Sequence, residues 1–341
     1  MEKRTEREIL EPVNLCLKSG KLNEDSVGFS RHPLQNCRIP GHWPRKKRWN
    51  YWCIMDADYL VSLTVSNLDY ASVSFVYWLQ RSRDRFEEFT EIGLLGQGVQ
   101  QGDFVDDPAG FRSSGMELIF QQEPGAEDWQ IQGSVKKKGE SIFEADLRVL
   151  NPAATESLNV VVPWNLSEFQ FTSKRIGLRA EGTIQCSAGQ HTFRPESSVA
   201  VLDFGRGVWP YSSVWNWACG TQIKGNRRIS WNLGAGWTDG TLSTENGIIV
   251  DGILHKISED LKFDFDSTNY KRPWRIYTES SDTVDLTLTA EYERVAKSNL
   301  LIVNSEVHQM IGKFSGTIRI AGESHRISGA SGWAEDHKAR W

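Results

Sequence analysis

The chain has 341 residues, 39% hydrophobic and 24% charged, with a net charge of −5, a globular balance sized for about two domains. That charge argues against nucleic acid as the main partner, and no apolar run approaches the roughly 18 residues of a membrane helix. Residues 1–12 lack the apolar stretch of a signal peptide, and Cys16, Cys37, Cys53, Cys186 and Cys219 show neither metal-ligand spacing nor a disulfide framework. The expectation is a soluble, cytoplasmic, reduced protein without a cofactor or metal.

In chain order, the polar segment 1–40 reads as an N-terminal tail. Then Trp43-Pro44, four residues and Trp49-Asn50-Tyr51-Trp52-Cys53 return as Trp209-Pro210, four residues and Trp215-Asn216-Trp217-Ala218-Cys219, at an offset of 166 (209 − 43). Such self-similarity means duplicated structure. The copies also close alike. Asp203, Arg206 and Trp209 keep the spacing of Glu335, Lys338 and Trp341, and Gln170 with Lys174 is echoed by Gln309 with Lys313. Two units follow, 41–208 and 209–341.

Within them, strict alternation at 143–149 and 284–290 predicts strands, as do β-rich runs at 60–65, 72–79, 158–162, 198–203, 228–233 and 261–265. Turn pairs such as Lys138-Gly139, Ala188-Gly189 and Asp251-Gly252 separate them. No helical period is sustained. The fold class is all-β, with each unit an antiparallel barrel or sandwich; eight to ten strands per unit would enclose a ligand-sized interior.

Several stretches then carry a resemblance. Gly41-His42-Trp43-Pro44, Trp49-Asn50-Tyr51-Trp52, Trp237-Thr238-Asp239-Gly240, His255-Lys256-Ile257-Ser258-Glu259-Asp260 and Gly332-Trp333-Ala334-Glu335-Asp336-His337 resemble the bacterial family called domain of unknown function 2804. More distantly, Asp203, Gly207 and the Trp215-Asn216-Trp217 triplet are similar to the junction motif of the carotenoid hydratases (hydroxyneurosporene synthases). That second resemblance implies two tandem lipocalin-like (calycin-type) barrels from an internal duplication. It also implies an acidic residue, here Asp203, that protonates an isoprenoid double bond. Phe204-Gly205-Arg206 and Asn216 depart from the hydratase pattern.

On this reading the protein binds an apolar or amphipathic small molecule of isoprenoid, lipid or polyketide type in a Trp-lined barrel cavity. Acid-catalysed hydration or isomerisation would make it a lyase-type enzyme with a carboxylic general acid. The candidate catalytic residues are Asp203, Glu245, His255 and Glu259; the candidate ligand-binding residues are Trp209, Trp215, Trp217, Trp237, Asp239, Arg206 and Trp274. Because Glu335 repeats Asp203, a structural ion pair is the competing role for both. A non-enzymatic lipid carrier or interaction module is a second function. A carbohydrate-active protein with paired carboxylates among Asp239, Glu245 and Glu259 is a third. The run Arg45, Lys46, Lys47 and Arg48, replaced by uncharged residues in the second copy, is either a solvated loop or a peripheral membrane contact. Glu306 and His308 share a strand face as a weak acid–base or metal pair. Positions kept in both copies read as framework, so function is expected where the copies differ.

Overall fold

The computed structural model describes residues 5–300 and 303–340; Trp341 of the closing motif lies outside them. Two large antiparallel sheets carry the chain, as the patterning predicts. One runs in the order Arg85–Leu94, Ala71–Gln80, Tyr59–Asn67, Lys46–Met55, Val199–Val208, Phe169–Cys186, Glu140–Leu150, Trp129–Lys137, Met116–Gln122, Ala109–Arg112, Val99–Gln101. The other runs Ile253–Ile257, Asn246–Val250, Arg227–Ala235, Ser212–Lys224, Glu323–Arg340, Val303–Ile320, Val284–Leu300, Trp274–Thr278, Leu261–Asp264. Each sheet curls like half a barrel.

The repeated motifs occupy equivalent places. Each unit's opening strand pairs with its closing strand, Lys46–Met55 with Val199–Val208 and Ser212–Lys224 with Glu323–Arg340. Tyr51 stands opposite Asp203, and Trp217 stands opposite Glu335; Trp217 is Tyr51 shifted by the repeat offset of 166 (217 − 51). The same ladders correct one expected equivalence. Lys174 faces Asp203 and Gln309 faces Glu335, so the counterpart of Lys174 is Gln309 and not Lys313.

Strand side chains alternate between faces, and here both faces of the central strands are buried. Trp52 and Ile54 enter the core of the first unit with Trp78 and Trp129, while Trp231 and Trp274 help fill that of the second. The intervening Tyr51, Cys53 and Met55 join Trp217, Cys219 and Trp333 in a third core, where the backs of the two sheets meet. The repeated cysteines are therefore buried apolar filler, and burial pushes the Cys53 thiol up to about 12.

Residues 5–40, expected as a polar tail, are packed instead. Leu15, Cys16, Leu22 and Cys37 enter the core of the first unit, and Phe29 pairs with Val160. Glu6 is buried against Lys256 at 2.6 Å. The segment's few apolar residues were spaced too irregularly to announce this.

Candidate functional site

The two sheet backs leave a cavity of about 300 Å³ between them, at the lower end of the range for small-molecule sites. It lies at the junction of the units, whereas the sequence places it inside a barrel. Its walls are built from repeat-equivalent pairs: Trp49 and Trp215, Tyr51 and Trp217, Asp203 and Glu335. The duplicated faces are turned toward one another, so framework positions also line the space.

Trp209 is the hinge of the aromatic wall. Its ring centroid lies 6.1 Å from Trp49, 5.3 Å from Trp215 and 5.3 Å from Trp237. Indole N–H groups inside a protein need partners, and these have them. Trp209 Nε1 donates to Gln170 Oε1 at 2.8 Å, Trp217 Nε1 to Asn232 Oδ1 at 2.8 Å, and Trp237 Nε1 to Glu245 Oε1 at 2.6 Å. The rings are held by polar pins at their edges.

The duplicated acids have diverged. Lys174, 4% exposed, contacts Asp203 Oδ1 at 2.8 Å and Glu245 Oε2 at 3.1 Å, with its ammonium 4.4 Å from the centre of the Trp217 ring. Burial opposes the Lys174 charge, but the two carboxylates outweigh it and hold the ammonium well above the ordinary lysine range. Among the described residues no lysine pairs directly with Glu335; the Lys174 charge acts on it only from a distance. Gln309, in the place of Lys174, donates to its Oε2 at 3.4 Å. Burial, reinforced by the Asp203 charge and only partly offset by Arg294, raises the Glu335 carboxyl to about 7. One copy is an ion pair; the other is an acid that holds its proton close to neutral pH.

A second divergence sits two residues on. Gly205 faces Trp49 across the ladder, and a Cβ there would collide with the indole. Its counterpart, His337, faces Trp215 and packs against that ring at 3.9 Å. Ser305 Oγ meets His337 Nε2 at 2.8 Å. Burial and then the Arg294 charge lower the imidazole to about 3, so it is neutral. Arg294 itself is bound by Glu88 at 2.9 and 3.0 Å. Tyr51 and Tyr77 share a 3.0 Å hydrogen bond, and Tyr77 donates to Gln309 Oε1 at 2.9 Å; burial keeps both phenols protonated.

Glu335 and His337 set opposing pH dependences. The Glu335 value, about 7 against an ordinary 4.5, lets the folded state keep a proton that the unfolded chain loses. Its contribution to stability therefore falls as pH rises from 4.5 to 7. The His337 value, about 3 against 6.5, makes stability rise with pH from 3 to 6.5. Between 4.5 and 6.5 the two slopes cancel, each being about 1.4 kcal/mol per pH unit. Glu335→Gln should gain stability over the parent as pH rises through 4.5 to 7 in urea titrations. A level difference curve would show that the carboxyl ionises normally.

Of the sequence candidates, Asp203, Glu245, Trp209, Trp215, Trp217 and Trp237 line the cavity. The others are engaged elsewhere. Asp239 Oδ1 accepts from Gly236 N–H at 3.1 Å within a turn, and the Glu259 carboxylate accepts from Ser281. Neither lines the cavity that Glu245 enters. His255 lies on the edge strand Ile253–Ile257, where burial and Arg31 lower its imidazole. Arg206 is enclosed in the first unit, donating to Trp49 O and Asn50 Oδ1, both at 2.9 Å. Trp274 stacks on Phe265 at 4.0 Å in the core of the second.

The basic run is not a free patch. Arg45 donates to Trp209 O at 2.5 Å, Lys46 and Arg48 pair with Asp69, and Lys47 is buried over the Tyr70 ring. His308 is bracketed by Glu306 and Glu293, both at 2.9 Å, but neither this trio nor any other group of His, Cys, Asp and Glu among the described residues is arranged to hold a metal ion. No described helix is long and apolar enough to cross a membrane. Sequence reasoning missed Lys174, Arg294 and His337, and took Glu335 only as an echo of Asp203.

Curled antiparallel sheets of this kind define a lipocalin-like, all-β protein. Kievitone hydratase from Nectria haematococca superposes with a TM-score of 0.51 at 11% identity, over 86% of this chain and 88% of its own. CghA superposes with a TM-score of 0.51 at 8% identity, over 87% and 88%. CghA with Sch210972 gives 0.50 at 8%, over 87% and 89%. The chain belongs to the family of the Domain of unknown function (DUF2804), whose sequence model matches residues 6–341. No curated protein sequence matches it.

Proposed function

We propose that the cavity between the sheets takes up an apolar or amphipathic small molecule of isoprenoid, lipid or polyketide type, and that Glu335 protonates it. The observation that carries this reading is the asymmetric pair of duplicated acids in a tryptophan-walled space. Environments that separate the ionisation of two like groups assign the acid and its charged companion. Glu335, raised to about 7, suits proton donation near neutral pH. Asp203, paired with Lys174, is committed to accepting hydrogen bonds, so the acid role expected of Asp203 moves to its copy.

In the step, the Glu335 O–H bond breaks and a C–H bond forms on an alkene carbon of the ligand, leaving a carbocation. The Asp203 charge and the indole faces stabilise that cation. Loss of a neighbouring proton to neutral His337 gives an isomer; capture of water, with release of its proton, gives a hydrate. That a hydratase is built on the same fold is compatible with the second fate. A carrier is the second reading, favoured by the structural use of Asp203 in the Lys174 ion pair.

Native mass spectrometry of gently purified protein, with organic extraction of whatever is bound, tests both. A bound amphiphile that the protein converts on incubation supports the enzyme, and one recovered unaltered supports the carrier. Empty protein whose tryptophan fluorescence ignores diverse apolar probes would end the cavity reading.

A further inference from the structure

We propose that this cavity selects by charge, admitting neutral and cationic amphiphiles and excluding anionic ones, because its occupant reacts through a positively charged form. The inference rests on the cavity being the ligand site and deepens that reading.

The ionisable groups on the cavity wall set its charge. Its two cations are both consumed. Lys174 is held between Asp203 and Glu245, and Arg294 is held by both oxygens of Glu88. Three carboxylates against two cations leave the wall with a net charge of −1 (2 − 3) before Glu335 ionises. His337 adds no charge because burial and Arg294 keep it neutral.

An entering carboxylate would lose its hydration, face Asp203 and Glu245, and find no unengaged cation among the described lining residues. Burying an unpaired charge is heavily disfavoured. The phenol of Tyr51 is already hydrogen-bonded to Tyr77. A cation meets the opposite situation. Five tryptophans line the space, an indole face carries the negative side of the ring quadrupole, and the surplus carboxylate supplies long-range attraction. Lys174 over Trp217 already shows a cation seated on this wall. A positive guest also favours the ionised form of Glu335, so its binding should release a proton.

Three probes of equal chain length separate charge from apolar area: dodecyltrimethylammonium, dodecanol and dodecanoate. Each is titrated below its micelle concentration against tryptophan fluorescence of the full chain at pH 7, with circular dichroism to confirm that the fold persists. The ammonium is expected to bind about tenfold tighter than the alcohol. The carboxylate is expected to bind about tenfold weaker than the alcohol. Affinity for the ammonium should rise with pH as Glu335 ionises, and Glu335→Gln should remove that rise while preserving the order of the probes. Dodecanoate binding as tightly as dodecanol would overturn the charge selection while leaving the apolar cavity intact. Silence from all three probes would instead remove the ligand site itself, and this inference with it.

Discussion

Glu335→Gln is expected to lower turnover of the co-purifying ligand by about 10²- to 10⁴-fold, the usual contribution of a positioned general acid, with ligand affinity nearly unchanged. The substitution preserves shape and the acceptor for the Gln309 amide but removes the transferable proton. A second variant separates the proton from the carboxyl. Gln309 occupies the ladder position that Lys174 holds in the first copy, so Gln309→Lys should place an ammonium against Glu335 and recreate the ion pair of Asp203. Glu335 would then ionise, and turnover should fall about as far. Difference infrared spectra provide a readout independent of substrate. The stretch of a protonated carboxyl, present in the parent near neutral pH, should be missing from both variants. Asp203→Asn should cost stability through Lys174 and lower turnover less than Glu335→Gln, because it removes one stabiliser of the cation but leaves the transferable proton. Full turnover in Glu335→Gln, or a parent without the protonated band, would remove Glu335 from the acid role.

The duplication was legible because tryptophan, proline and cysteine at fixed spacing are rare enough to be matched by eye, and the sheet ladders carry them at equivalent places. The location of the cavity was not. A strand with one buried face alternates, but Lys46–Met55 ends in a continuously buried run from Asn50 to Met55, so nothing in it separates a barrel interior from a second contact surface. Only the docking of the two sheets distinguishes Trp52, inside the first unit, from Tyr51, at the junction. The same docking explains the fate of the shared residues. Reading Trp49 as framework, and a structural ion pair as the competing role of Asp203 and Glu335, suits isolated barrels; once the repeated backs face each other, such residues surround one space. The copies do differ around the two acids. Lys174 against Gln309 leaves one acid in an ion pair and the other beside an amide, and Gly205 against His337 sets a second contrast two residues on. Those contrasts needed the ladder register, because matching Lys174 to Lys313 by eye concealed the first of them.

Lys174→Met carries the largest expected loss of stability. The ammonium joins Asp203, on Val199–Val208 of the first unit, to Glu245, which precedes Asn246–Val250 of the second, so a single side chain ties the units together beside the cavity. Replacing an ion pair with matched apolar groups can be neutral, but deleting one partner strands the other charge, at a cost of about 3–5 kcal/mol. Here a buried carboxylate, Glu245, and a largely buried one, Asp203, would be stranded together. Urea unfolding should shift by that amount near neutral pH. The deficit should shrink as pH falls and the stranded carboxyls take up protons, because protonation removes the uncompensated charge. In the parent the sign is different. A lysine held above its ordinary value of 10.5 contributes fully below that pH and loses its contribution only as pH rises past it, so the parent's Lys174 term should be level through neutrality. The triple variant Lys174→Met, Asp203→Asn, Glu245→Gln should recover much of the lost stability, since no charge is left unpaired. If Lys174→Met unfolds at the parent's midpoint, the ion pairs are loose in solution and the units are held by their apolar contact alone.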